Sequence, residues 1–253
     1  MSFRLVIALA AIFGAGSALA ADPPAAAQPA AVPAAPAMTA AAPADAAPKA
    51  AAAEVAAAAL KPGDATSGQA KSATCAACHG MDGNPASSQY PKLAGQHEDY
   101  IVRQVNLFKS HKRENAVMMG FVATLSEQDM HDIGSYFAAK ASLPGVADAK
   151  LVQRGEALYR GGDKAAGLPA CMACHGPDGR GNPGAGYPQL GGQYADYVTL
   201  KLKDFAAGKG YSDDERAKVM VTVAKGLGEQ DIAALATYIE GLHAADTGST
   251  AAK

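Results

Sequence analysis

The chain has no tryptophan, and phenylalanine and tyrosine together make up only 6% of its 253 residues. A single large aromatic-rich core is thereby excluded, the more so because much of the 49% apolar content is alanine, which buries little surface. An excess of either charge is also missing. The 22 basic and 24 acidic residues leave a formal net charge of -2, which offers no electrostatic footprint for nucleic acid. Formal charge is 0 over residues 61–145 and -1 over 146–253, so long-range steering of a charged partner is weak. Beyond residue 21 no apolar run approaches the roughly 17 residues that a spanning helix needs. Four cysteines are too few for a disulfide scaffold at this length, yet they fall as two close pairs in matching contexts.

The chain divides by composition. Residues 1–20 are expected to be an export signal, cleaved on the way out: Arg4 is the basic start, Leu5 to Phe13 the apolar centre, and Ala18-Leu19-Ala20 a small-residue cleavage site. From 21 to 60, 23 of 40 residues are Ala and seven are Pro, which predicts a disordered linker, since so few large side chains cannot offset the entropy of ordering. Residues 246–253 are expected to form a flexible tail.

What lies between is duplicated. Cys75-Ala76-Ala77-Cys78-His79-Gly80 is echoed by Cys171-Met172-Ala173-Cys174-His175-Gly176. Tyr90-Pro91-Lys92-Leu93-Ala94-Gly95-Gln96 matches Tyr187-Pro188-Gln189-Leu190-Gly191-Gly192-Gln193, and Leu125-Ser126-Glu127-Gln128-Asp129 matches Leu227-Gly228-Glu229-Gln230-Asp231. Two homologous domains are predicted, at 61–143 and 144–245, with the joint near Pro144-Gly145. Each reads as helical with long loops. Ile101, Val105 and Phe108 fall at helical spacing, as do Val198, Leu202 and Phe205. Ser126 and Asp129 have the form of an N-cap and its third-position acid, opening a helix that carries Met130, Ile133, Tyr136 and Phe137. Gly68 and Gly155, in the opening helices, are placed to allow close crossing near Tyr136 and Tyr238. Lobes of about 80 to 100 residues with so few large apolar side chains are marginal unless something else fills the core.

The cysteine pairs supply that filler. Zinc would want both pairs in one knuckle, but 92 residues separate Cys78 from Cys171. A thioredoxin-like pair wants a preceding strand, and plain disulfides leave His79 and His175 unexplained. Cys-x-x-Cys-His is the requirement for covalent c-type haem, with two thioethers and an adjacent imidazole for the iron. A sixth ligand is then needed. Met220 lies eight residues before Gly228, and eight before the equivalent Ser126 lies Met118, so the register selects Met118 over Met119. Met119 and Met130 read as core filler. His97, His111, His131 and His243 have no counterparts in the other copy and read as surface residues, and the run Lys109 to Arg113 reads as a solvated face, with a docking patch for a partner as the alternative. The carbonyls of Pro91 and Pro188 are candidate acceptors for the proximal imidazoles, with a plain rigid turn as the alternative.

These motifs resemble the dihaem cytochrome c4 family over residues 61–243: two tandem class I cytochrome c lobes, all-α, each with Cys-x-x-Cys-His-Gly, a Tyr-Pro-x-Leu-x-Gly-Gln loop and a closing helix after a late Met. The resemblance implies two c-type haems attached through Cys75, Cys78, Cys171 and Cys174, with His79/Met118 and His175/Met220 as axial pairs. It implies a monomeric, non-enzymatic periplasmic electron carrier, loosely associated with membranes at most. Its partners would be a quinol-cytochrome c reductase and a terminal oxidase. The alternative is the cytochrome subunit of a flavocytochrome-type sulfide dehydrogenase or a similar oxidoreductase, and Met in both lobes speaks against a dihaem peroxidase.

Overall fold

The computed structural model describes residues 60–244. The expected export signal at 1–20, the expected linker up to residue 59 and the expected tail at 246–253 lie outside the described residues. Among the described residues no helix is long and apolar enough to cross a membrane.

The first lobe is built from α1 (Ala65–Lys71), α2 (Ala73–His79), α3 (Glu98–Lys109), α4 (Ala116–Val122) and α5 (Glu127–Ala138). The second repeats the order with α6 (Val152–Gly161), α7 (Met172–His175), α8 (Ala195–Ala206), α9 (Glu215–Ala224) and α10 (Glu229–Gly241). Among the described residues the only extended pairings are two isolated bridges, Asp163 with Leu168 and Asn182 with Tyr187. The all-α expectation holds. Between the lobes the chain turns through Pro144-Gly145, where the Gly145 amide donates to the Glu240 carbonyl at 2.8 Å.

In each lobe the opening helix crosses the closing helix, α1 on α5 and α6 on α10, while α3 and α8 pack beside them. The crossing is close because glycine sits at the contact. A Cβ on Gly68 would lie 2.0 Å from the Asp132 carbonyl oxygen, and one on Gly155 would lie 2.1 Å from that of Ala234. The closing helix begins where the sequence predicts: Ser126 accepts from the Asp129 amide and Asp129 accepts from the Ser126 amide, a complete capping box. On this frame Ile101, Ile133, Tyr136 and Phe137 form the first core cluster, and Leu158, Tyr159, Leu235 and Ile239 belong to the second. Burial of each large apolar side chain stabilises by about 1.5–3 kcal/mol.

A polar staple fastens α1 to α5. Asp132, buried at 4% exposure, accepts from Lys71 Nζ at 2.6 Å, the Asp64 amide at 2.9 Å and Gln128 Nε2 at 3.0 Å. Lys71 also meets Asp129 at 2.7 Å. The Lys71 ammonium, followed by the Asp64 amide, holds the Asp132 carboxyl down at about 2.

Two predictions arise here. Gly155→Ala should destabilise the protein by about 1–3 kcal/mol through overpacking, whereas Gly161→Ala, where an added Cβ meets nothing within 4 Å at the end of the same helix, should be neutral or gain up to about 1 kcal/mol. Chemical denaturation checks both. For Asp132 the folded pKa lies below the usual 3.8, so its stabilisation is fully present above about pH 4 and lost as pH falls through about 2. Asp132→Asn should therefore lower stability at pH 6, with the gap from wild type closing as denaturation is repeated toward pH 2.

Candidate functional site

Each Cys-x-x-Cys-His run ends a helix at its histidine. Gly80 and Gly176, both at φ 78°, then turn the chain away as C-caps, a backbone state that other residues rarely adopt. Both imidazoles are buried, His79 at 7% and His175 at 6% exposure. Nδ1 of His79 lies 2.9 Å from the Pro91 carbonyl oxygen, and Nδ1 of His175 lies 3.0 Å from that of Pro188. A carbonyl only accepts, so Nδ1 carries the proton and donates, which leaves the Nε2 lone pair free for a metal. Burial also depresses both imidazole pKa values and favours the neutral ring that ligation requires. Tyr90 stands edgewise against the His79 ring and Tyr187 tilted against the His175 ring, with centroids 6.1 Å and 6.0 Å away.

No disulfide joins any of the four cysteines. Burial raises the pKa of Cys75 and pushes that of Cys171 up to about 11.

A cavity of about 1080 Å³ runs through both lobes, and the cysteine pairs and both histidines border it. Its walls are apolar, with Ile101, Leu125 and Phe137 in the first lobe and Val198, Leu202 and Ile239 in the second. Met118 and Met220 border it as well. They stand on the short helices α4 and α9, which the sequence analysis does not single out. The missed signal was the pair of N-caps: Asn115 Oδ1 accepts from the Met118 amide itself at 3.0 Å, and Asp214 accepts from the Ala217 amide at 2.7 Å. Met130, at 2% exposure, also touches the cavity.

Between the lobes the cavity has a polar border, which corrects two sequence expectations. The run Lys109 to Arg113 is not wholly a solvated face. The Arg113 guanidinium packs over Phe108 at 4.4 Å and over Tyr211 of the second lobe at 4.9 Å, and it donates to Gln104 Oε1 at 2.6 Å and Tyr197 Oη at 2.9 Å. Aromatic faces and neutral acceptors offset the cost of taking its charge out of water. Nor are all four remaining histidines surface residues. His111 and His243 are exposed, but half-buried His97 places Nε2 2.8 Å from the Arg180 carbonyl oxygen in the other lobe, and half-buried His131 places Nδ1 2.7 Å from Glu98. Leu107, Tyr211 and Ala217 close the interface as a small apolar cluster that spans both lobes.

Two helical lobes, each ending a Cys-x-x-Cys-His turn on a buried, proton-fixed imidazole at a shared apolar cavity, define a tandem class I cytochrome c. The family model for cytochrome c matches the chain twice, at residues 65–139 and 152–243. The cytochrome c4 of Pseudomonas aeruginosa is 49% identical over 72% of this chain and 90% of that protein. The crystal structure of reduced recombinant cytochrome c4 from Pseudomonas stutzeri superposes with a TM-score of 0.69 at 44% identity, covering 72% of this chain and all of that one. A thiosulfate dehydrogenase electron acceptor of Thiomonas intermedia is 35% identical over 72% of this chain and 85% of that protein. The chain belongs to the cytochrome c4 family of dihaem c-type cytochromes. It is an electron carrier with two c-type haems.

The residues present fit that cofactor. The cavity offers apolar walls for a macrocycle, and at its polar border Arg103 Nε and Nη1 and Gln104 Nε2 are buried without a hydrogen-bond partner among the described residues. Unpaired buried donors are costly, and the carboxylates that a haem carries are the acceptors they lack. Asp214 is 3.7 Å from Arg103 Nη1, too far to satisfy it.

Arg113→Met should remove two charge-assisted hydrogen bonds at the lobe interface and cost about 2–4 kcal/mol in urea denaturation of the haem-bearing protein. Lys112→Ala, an exposed neighbour, should change stability by less than about 0.5 kcal/mol.

Proposed function

We propose that His79 with Met118, and His175 with Met220, are the axial ligands of the two irons, and that Cys75, Cys78, Cys171 and Cys174 hold the haems through thioethers. The observation that carries this reading is the repeated site: in both lobes an imidazole with its Nε2 lone pair free and a methionine at the equivalent register border the same cavity. When bound, the haem iron supplies reversible one-electron chemistry. The chain does the rest. The Pro91 and Pro188 carbonyls fix each imidazole's tautomer and orientation. The Asn115 cap anchors the turn that carries Met118. Walls of Ile, Leu, Phe and Val keep water from the irons. His and Met would together complete the coordination of each iron beside the macrocycle and would leave no position for a substrate, which suits a carrier and not an enzyme.

In this reading the mature protein is a monomer in the periplasm, released from its signal and at most loosely associated with the membrane. It passes single electrons from a quinol-cytochrome c reductase to a terminal oxidase. The similarity to the thiosulfate dehydrogenase electron acceptor of Thiomonas intermedia favours a second reading, in which the donor is a dehydrogenase of a reduced sulfur compound. A flavocytochrome-type sulfide dehydrogenase would be one such donor. The two readings separate by assay: rapid reduction by the purified quinol-oxidising complex supports the first, whereas reduction only by a copurifying sulfur dehydrogenase supports the second.

Replacing Cys171 and Cys174 together by Ala should leave a denatured mass lighter by one haem; an unchanged mass would refute attachment there. Met118→His should lower the potential of the first-lobe centre, because imidazole favours ferric iron more than a thioether does, while Met119→Leu should leave the iron-thioether charge-transfer absorption intact. Loss of that absorption in Met119→Leu would place the ligand one residue later.

A further inference from the structure

The glutamine that ends each Tyr-Pro-x-Leu-x-Gly-Gln loop does not serve its own lobe's haem loop but the other's. Gln193 Oε1 accepts from the Lys92 amide at 2.9 Å, and its Nε2 donates to the Lys92 carbonyl at 3.0 Å. Gln96 repeats this in reverse: Oε1 accepts from the Gln189 amide and Nε2 donates to the Gln189 carbonyl, both at 3.0 Å. Each Oε1 also accepts from the amide that follows it in its own chain, His97 or Tyr194, at 3.0 Å. These bonds fix the side-chain amides and lock the oxygen toward the opposite loop. Lys92 is further pinned, at 6% exposure, with Nζ donating across the interface to the Gly192 carbonyl at 2.7 Å and within its own lobe to the Leu143 carbonyl.

Lys92 and Gln189 directly follow the prolines whose carbonyls accept from the proximal imidazoles. One peptide group therefore has both jobs. In the Pro91–Lys92 peptide the oxygen accepts from His79 and the N–H donates to Gln193 of the other lobe. In the Pro188–Gln189 peptide the oxygen accepts from His175 and the N–H donates to Gln96. Peptide resonance couples the two ends of such a group, so donation by its N–H makes its oxygen a stronger acceptor, and successive hydrogen bonds strengthen one another by about 10–30% each. A stronger acceptor at Nδ1–H makes the imidazole a more basic ligand, which favours ferric iron.

We infer that Gln193 and Gln96 are positioning residues that tune the redox centres crosswise: Gln193 of the second lobe acts on the first centre through Lys92 and His79, and Gln96 of the first lobe acts on the second centre through Gln189 and His175. The inference rests on the assignment of His79 and His175 as iron ligands.

The test uses the haem-bearing protein with Gln193→Leu and Gln96→Leu made separately. Gln193→Leu should raise the potential of the first centre while leaving the second nearly unchanged. The expected change in its oxidised-to-reduced equilibrium is about threefold, roughly 28 mV at 59 mV per tenfold for one electron. Gln96→Leu should do the reverse, and the His Nδ1 proton resonance should move only in the lobe opposite the substitution. Both variants loosen the same interface by equivalent bonds, so a merely structural effect would move both centres alike. Equal shifts, same-lobe shifts or no shifts would overturn the inference. Ligation is read independently, from haem ring-current displacement of the imidazole protons in the unsubstituted reduced protein. Absence of that displacement would refute the ligand assignment and the tuning with it, whereas its presence together with uncrossed shifts would refute the tuning alone.

Discussion

Neither lobe has enough large side chains to close its own core, and the rest of the structure follows from what fills the gap. Each short bundle supplies a crossing of two helices, a third helix beside it and an apolar wall, and then stops at a cavity. The proximal imidazole stands at that boundary, buried, with its outer nitrogen tied to a proline carbonyl and its inner one uncommitted. A small helical domain with an unfilled interior is marginal, and a large covalent apolar group both completes the packing and turns the completed core into the working part. Stability and function thus rest on the same contacts.

The interface between the lobes is symmetric in one layer and asymmetric in the next. The loop glutamines exchange equivalent bonds in both directions, as a twofold relation requires. At the cavity border the balance is lost, for Arg103 and Arg113 come from the first lobe, whereas Tyr197, Tyr211 and Asp214 come from the second. Burial pushes the Tyr100 phenol up to about 12, with Tyr197 adding to the effect, so the Tyr100 phenol stays neutral beside the buried guanidinium groups. A duplicated protein has in this way given its two centres different electrostatic surroundings without altering the helical frame.

Much of this was legible in the residues. The capping box at Ser126 and Asp129, the glycine crossings at Gly68 and Gly155 and the proline carbonyl acceptors are local devices whose chemistry is carried by a few neighbouring positions, and they lie where their spacing places them. The helices carrying Met118 and Met220 were not seen, because seven to ten residues with mixed faces give little periodic signal and only their Asn115 and Asp214 caps mark them. Arg113 was misjudged for a different reason. Duplication reveals that two lobes are alike but not which surfaces they turn to each other, so a charge that looks solvated in one lobe can be covered by the second. The same blindness hid Gln96 and Gln193, visible as repeated letters whose partners lie about a hundred residues away.

The central claim is that haem completes both cores, and it is tested most directly by making the chain with Cys75, Cys78, Cys171 and Cys174 all replaced by alanine, produced without haem, and following its chemical denaturation alongside near-ultraviolet circular dichroism. The account predicts no cooperative transition and no fixed tertiary signal in that chain. A sharp transition with a denaturant dependence equal to that of the haem-bearing protein would contradict it, because the lobes would then close their cores with side chains alone.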